Sequence, residues 1–393
     1  MLTFLAAALQ LLAPEPDPAG PWRAALDLAG GPLRFSLEIA RSGDSLTGRF
    51  CNGASCDAPF AIRSSGDSLT FEIADYAATI HATISADSLT GRYHNVGSRG
   101  PRTIPFRAAR GRWPARPAGP ALLGSWDATL TTDGRTSPRV FLFGGDSTGV
   151  RAAVVSNTGD YGQFWGQASG DSIAVFRFDG SFVYMLTARL DGDTLRGVFH
   201  AGLRTQTPFT AVRSTGRRHL REPTEVTQAD TTAPFRFAFR DLDGRMVTSE
   251  DERFRGKVVV IDVFGTWCPT CHEAAPMHVR FHRDFHDRGL EIVGLAYEVT
   301  GDTAVDGALV RRYRDKLGIP FPLLLAGISD PQAAAATLPQ LRGFTSFPTT
   351  IFLGRDGRVR RVHAGFYGAA TGPMHDRQVA EFRALIVRLL EEG

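Results

Sequence analysis

Val258-Val-Val-Ile-Asp-Val-Phe-Gly-Thr-Trp-Cys-Pro-Thr-Cys271 decides the fold of the C-terminal part of this chain. Its first seven residues are apolar except for Asp262. That is the pattern of a strand buried on both faces, since a half-solvated strand would alternate. Two cysteines spaced by two residues follow, and the stretch from His272 to Asp287 reads as a helix. Paired thiols at a helix N-terminus suit dithiol–disulfide exchange. The spacing lets both sulfurs meet in a small ring. The first sulfur faces the positive end of the helix and its free N–H groups, which favour the thiolate. That thiolate attacks a disulfide, and the second thiol resolves the mixed intermediate. Two plainer readings compete, a zinc site and an inert disulfide. Zinc needs two more ligands at suitable spacing, and only His272 adjoins the pair. No metal and no cofactor are expected.

Outward from this stretch, strands and helices alternate. Phe235 to Gly244 reads as a hairpin with an Asp-Gly turn, and Leu290 to Ala296 as another buried strand. A helix is expected from Asp306 to Leu317, and a strand from Phe321 to Leu325. A hairpin around Asp356-Gly357 joins Thr349–Leu353 to Val359–Ala364, and a helix from Arg377 to Leu390 ends the pattern. This order argues for an α/β sheet over residues 234–393.

Residues 234–393 resemble the thioredoxin superfamily, and within it the TlpA-like thiol–disulfide oxidoreductases. Gly256 to Cys271 is similar to that family's active-site stretch, Pro276 to its helix proline, and Phe347-Pro348-Thr349-Thr350 to the segment with its cis-proline. The resemblance implies that Cys268 is the nucleophile, Cys271 the resolving thiol, and Pro348 a cis residue against the sulfurs. Trp267, Pro269, Thr270 and Phe347 would then meet the substrate. It also implies a reductase acting outside the cytoplasm, with a disulfide-containing protein substrate and an upstream electron donor. Asp262 lies six residues before Cys268 in the apolar strand. A carboxylate there is costly without a function or a partner. Thioredoxins have a similar Asp that moves the proton of the resolving thiol, whereas TlpA-like proteins more often have Asn there. They often carry Glu three residues after the second cysteine, where this chain has Ala274; Glu273 falls on another helix face. The acid is therefore expected on the strand, at Asp262. Glu298, at the end of the next strand, reads as a surface carboxylate.

The N-terminal half repeats itself with an offset of about 104 residues. Trp22-Arg-Ala-Ala-Leu matches Trp126-Asp-Ala-Thr-Leu, and Pro105 to Arg110 matches Pro208 to Arg213. Runs such as Leu33 to Ile39 alternate apolar and polar residues, and Gly-Asp-Ser triplets punctuate them. Each copy therefore reads as all-β, a small barrel or sandwich, over residues 21–112 and 121–214. Two separate barrels and one merged sheet system both fit. Residues 215–233 read as a linker. Cys51 and Cys56 flank a tight turn in the first copy and suit a local disulfide; Ser156 and Tyr161 stand at their places in the second. His94 and His200 occupy matching positions and read as a shared packing site.

The chain has 393 residues, 43% of them hydrophobic, with a net charge of +3 and no basic stripe, so nucleic-acid binding is not expected. Residues 1–20 hold a candidate signal peptide: Met1 to Ala13 is apolar, too short to span a bilayer, and lacks the usual preceding Lys or Arg. No other segment is apolar enough to cross a membrane. The reading is a multidomain thiol–disulfide oxidoreductase, two all-β repeats followed by a thioredoxin-like domain. The competing reading is a redox-inert adaptor whose β repeats bind a partner.

Overall fold

The computed structural model describes residues 16–97, 100–203 and 205–392. Residues 1–15 of the candidate signal peptide lie outside them. The two repeats form two eight-stranded barrels rather than sandwiches or a merged sheet. In the first, the strand Gly31–Ser42 pairs with both Gly20–Leu28 and Ser45–Asn52, closing the ring; the two-residue strand Ser55–Cys56 is appended outside it. The second closes through eight strands from Gly124–Thr132 to Thr205–Arg213.

The matching motifs act at closure. Trp22 on the first strand pairs with Arg110 on the last, and Trp126 pairs with Arg213 in the same way. Each guanidinium stacks on its indole, at 4.3 and 4.2 Å, a geometry that adds a cation–π attraction to the ladder. Each indole N–H donates to a carbonyl four residues earlier, Pro18 and Leu122. The alternating residues fill both barrel interiors, with Phe35, Phe71 and Phe106 in the first and Phe141, Phe164 and Phe209 in the second.

The barrels are joined by a residue of one entering the other. Phe178 of the second barrel is fully buried against Phe35 and Phe50 of the first, with ring centres 4.6 and 4.7 Å away. The Asn52 amide holds the backbone of Phe178 from both sides, donating to its carbonyl at 3.0 Å and accepting from its N–H at 3.2 Å. Hairpin register corrects one sequence reading. Cys51 faces Cys56 across the first hairpin, and Val155 faces Asp160 across the second. The counterparts of the cysteines are therefore Val155 and Asp160, not Ser156 and Tyr161. Cys51 and Cys56 are bridged.

The stretch read as a linker is not bare chain. It contains the short helix Pro223–Val226 and the strand Gln228–Ala229, which pairs with Leu341–Arg342. Beyond it a seven-stranded sheet has Val258–Phe264 near its centre, parallel to Leu290–Glu298 and antiparallel to Thr349–Leu353. All seven residues of Val258–Phe264 are buried. Helices Pro269–Phe285 and Pro373–Glu391 cover one face and Pro331–Thr337 the other.

Candidate active site

Cys268 is the N-cap of the helix Pro269–Phe285, and its Sγ accepts the N–H of Cys271 at 3.3 Å. The sequence produces this geometry locally. Pro269 can occupy the first helical turn because no N–H is needed there, and the buried strand ahead fixes where the helix begins. The Cys268 thiol also points to the Phe347 carbonyl at 3.7 Å, and the Phe347–Pro348 peptide is cis. Cys268 and Cys271 are unbridged, 5% and 0% exposed. Burial, the hydrogen bond from Cys268 and the nearby charge of Asp262 push the Cys271 thiol well above its ordinary value. The two sulfurs are thus unequal: one lies at the helix's positive end and the other is sealed behind it.

Asp262 lies beneath them, 4% exposed and paired at 3.3 Å with His278 Nδ1. It is not a strand-end group reaching solvent. His278 was not singled out by its sequence. It follows Cys271 by seven residues, two helical turns, and so shares its buried face. Ala274, three residues after Cys271, is 1% exposed within the core.

A second carboxylate corrects the sequence reading. Glu298 is 1% exposed, not a surface residue. Its oxygens accept the N–H of Thr266 at 2.8 Å and its hydroxyl at 2.7 Å, pinning the loop before Cys268. Burial pushes its carboxyl up to about 7. Trp267 donates to the Tyr297 carbonyl at 2.8 Å and stands edge-on to Phe347. His272 bonds the Thr266 carbonyl at 2.8 Å, and burial pushes its imidazole toward the neutral form.

The β module reaches this site. Thr270 donates to the Asp160 carbonyl at 3.3 Å, and the Asp160 carboxylate accepts from the Gly368 N–H at 3.1 Å. Glu273 faces Arg177 of the second barrel at 3.8 Å, and Arg177 is also paired with Asp179 at 3.1 Å. On the other flank, Lys316 pairs with Asp75 of the first barrel and the Tyr76 ring packs on His272. Of the residues expected to meet substrate, Trp267, Pro269, Thr270 and Phe347 all line one cavity with Cys268. The hydroxyl of Thr270, however, is engaged by the barrel.

Residues 228–371 match the Redoxin family model. The chain is 28% identical over 150 residues to the thiol-disulfide oxidoreductase ResA of Halalkalibacterium halodurans, covering 38% of this chain and 73% of that protein. It is 25% identical over 150 residues to ResA of Bacillus subtilis, covering 38% and 72%. Among solved structures, a thiol:disulfide interchange protein of Chlorobium tepidum is 24% identical, with a TM-score of 0.32, over 42% of this chain and 99% of that one. The Redoxin match falls in the C-terminal part. The C-terminal part thus carries a thioredoxin-like Redoxin domain, similar to the ResA thiol–disulfide oxidoreductases.

Proposed function

We propose that the chain exchanges the Cys268–Cys271 dithiol with disulfides outside the cytoplasm, acting as a reductase. The observation that carries this is the pair itself: Cys268 Sγ capping the helix against the Phe347 carbonyl, with the buried Cys271 behind it. Cys268 as thiolate attacks a substrate disulfide. One substrate sulfur leaves as thiolate and the other stays bonded to Cys268. Cys271 then gives up its proton and attacks Cys268 Sγ, forming the 268–271 disulfide and releasing the second substrate thiolate. Asp262 is the acceptor for that proton, since Cys271 stays a thiol at neutral pH without help. An upstream dithiol donor restores the reduced pair.

The direction leans on the likeness to TlpA-like reductases. The location leans on the apolar N-terminal run and on the Cys51–Cys56 bridge, because such bridges persist in oxidising compartments. The test is reduction of insulin and of a small disulfide by the full chain with dithiothreitol as donor. Cys268→Ser is expected to bring turnover to the uncatalysed background, and Cys271→Ser to trap a mixed disulfide. Unchanged turnover in Cys268→Ser would leave the redox-inert adaptor as the better reading.

A further inference from the structure

The nucleophile of a disulfide reductase must be reached by its substrate, yet Cys268 is 5% exposed. Part of its cover comes from outside the Redoxin domain. The cavity at Cys268 is only about 130 Å³. Trp267, Pro269 and Phe347 form its floor; Tyr161, Phe182 and Tyr184 of the second barrel form its roof. The roof is built rather than incidental. The Tyr184 ring stacks between Phe182 at 5.2 Å and Phe199 at 5.7 Å, and Tyr161 meets it edge-on at 5.2 Å. The hairpin below it is fastened to the Redoxin domain, since the Asp160 N–H donates to the Phe366 carbonyl at 3.2 Å and Thr270 holds the Asp160 carbonyl.

Volume decides what fits. A buried cavity of about 150 Å³ holds a benzene ring, so the space beside Cys268 takes one group of about that size. An attacked disulfide needs room for its near sulfur and, in line beyond it, for the leaving sulfur. A thin disulfide with short arms meets that need. An extended polypeptide with residues on both sides of its cysteine does not, and a folded protein meets the barrel first.

We propose that the second barrel roofs the redox centre and restricts it to low-molecular-weight disulfides, with Tyr161, Phe182 and Tyr184 as the specificity-determining residues. This rests on Cys268 being the nucleophile. The reaction is the one written above: one small disulfide is reduced to two thiols, and the dithiol pair gives up two electrons and two protons.

The test uses reduced full-length chain in single turnover, with cystamine and insulin as probes, each rate divided by its rate with dithiothreitol. Insulin is expected to lag cystamine by roughly tenfold or more, because exchange rates depend on access. Tyr184→Ala is expected to remove most of the lag, and Tyr184→Phe to keep it. Phe182→Ala, at a half-buried position, repeats the measurement should Tyr184→Ala fail to fold. Equal normalised rates in the wild type, or a lag that neither alanine variant alters, overturns the proposal. A second readout needs no disulfide chemistry: alkylation of Cys268 by iodoacetamide and by a maleimide carrying a polyethylene glycol of several kilodaltons. The bulky reagent is expected to lag in the wild type and to catch up in the alanine variants. If no disulfide reacts but this lag holds, the reductase reading fails and the roof stands. If the bulky reagent keeps pace in the wild type, the roof does not exclude large partners and the proposal falls.

Discussion

At the scale of single residues, the redox pair depends on groups that differ in how visible they are. Asp262 stands out because a carboxylate in an apolar strand demands an explanation. Its partner His278 does not, since a histidine on a helix resembles any packed or solvated histidine until the strand beneath is known. Asp262 Oδ1 and both ring nitrogens of His278 lack a hydrogen-bond partner among the described residues. The pair is therefore close without being fully satisfied. Replacing Asp262 by Asn keeps the shape and removes the proposed proton acceptor. Resolution of the mixed disulfide should then slow by roughly a hundredfold at neutral pH. The deficit should shrink as pH rises, because Cys271, pushed up by burial, loses its proton unaided at higher pH. The rate of mixed-disulfide decay from about pH 6 to about pH 9 reads this directly. A constant ratio between variant and wild type would make Asp262 a packing residue. Glu298 was hidden for a different reason. The Thr266 it holds is 32 residues away in sequence, so only the parallel pairing of the two strands brings them together.

At the scale of elements, periodicity and turn chemistry were informative where each element carries its own pattern. The buried strand Val258–Phe264, the helix after it and the alternating barrel strands are of this kind. Register was less legible. A shift of one residue in the repeat offset moves every counterpart, and the true pairing of Val155 with Asp160 shows only in the hairpin. That hairpin has diverged between the copies. In the first barrel its stem holds the Cys51–Cys56 bridge; in the second it rests on the Redoxin domain. Gly159 makes the second arrangement possible. Its φ is +101°, and a Cβ there would come within 2.5 Å of the Phe366 carbonyl oxygen. Gly159→Ala therefore combines a strained backbone with a clash, of order 1–3 kcal/mol. The expected result is an intact barrel that no longer seats fully: unchanged β-sheet circular dichroism, but faster alkylation of Cys268 by small reagents. Wild-type alkylation rates in Gly159→Ala would show that the hairpin does not control access.

At the scale of the whole molecule, the sequence names the parts, and the contacts among them arise from residues with no local pattern. Arg177 is one arginine among many in the chain, yet it is 6% exposed at the meeting of all three units. Burial works against its charge, but Asp179, Glu273 and Asp57 more than offset this and hold it protonated. With Asp160, four acidic groups share this neighbourhood with one guanidinium. Asp57 and Asp160 are each pushed up to about 7, chiefly by burial. A carboxyl raised in this way keeps its proton longer when the domains are docked than when they are apart. Its favourable contribution to docking is full below the ordinary carboxylate value of 3.8 and is lost as pH rises through about 7. Arg177 is the counter-charge once those protons have left. Arg177→Met should leave the carboxylates buried and unpaired, a cost of about 3–5 kcal/mol at high pH, relieved if the barrels swing away and the carboxylates hydrate. Small-angle scattering should find the wild type compact at about pH 5.5 and about pH 8.5, and the variant expanded at the higher value and compact again at the lower. A variant that stays compact at about pH 8.5 would show that apolar contacts alone hold the barrels on the redox domain. Arg177 would then be a consequence of the docking rather than its support.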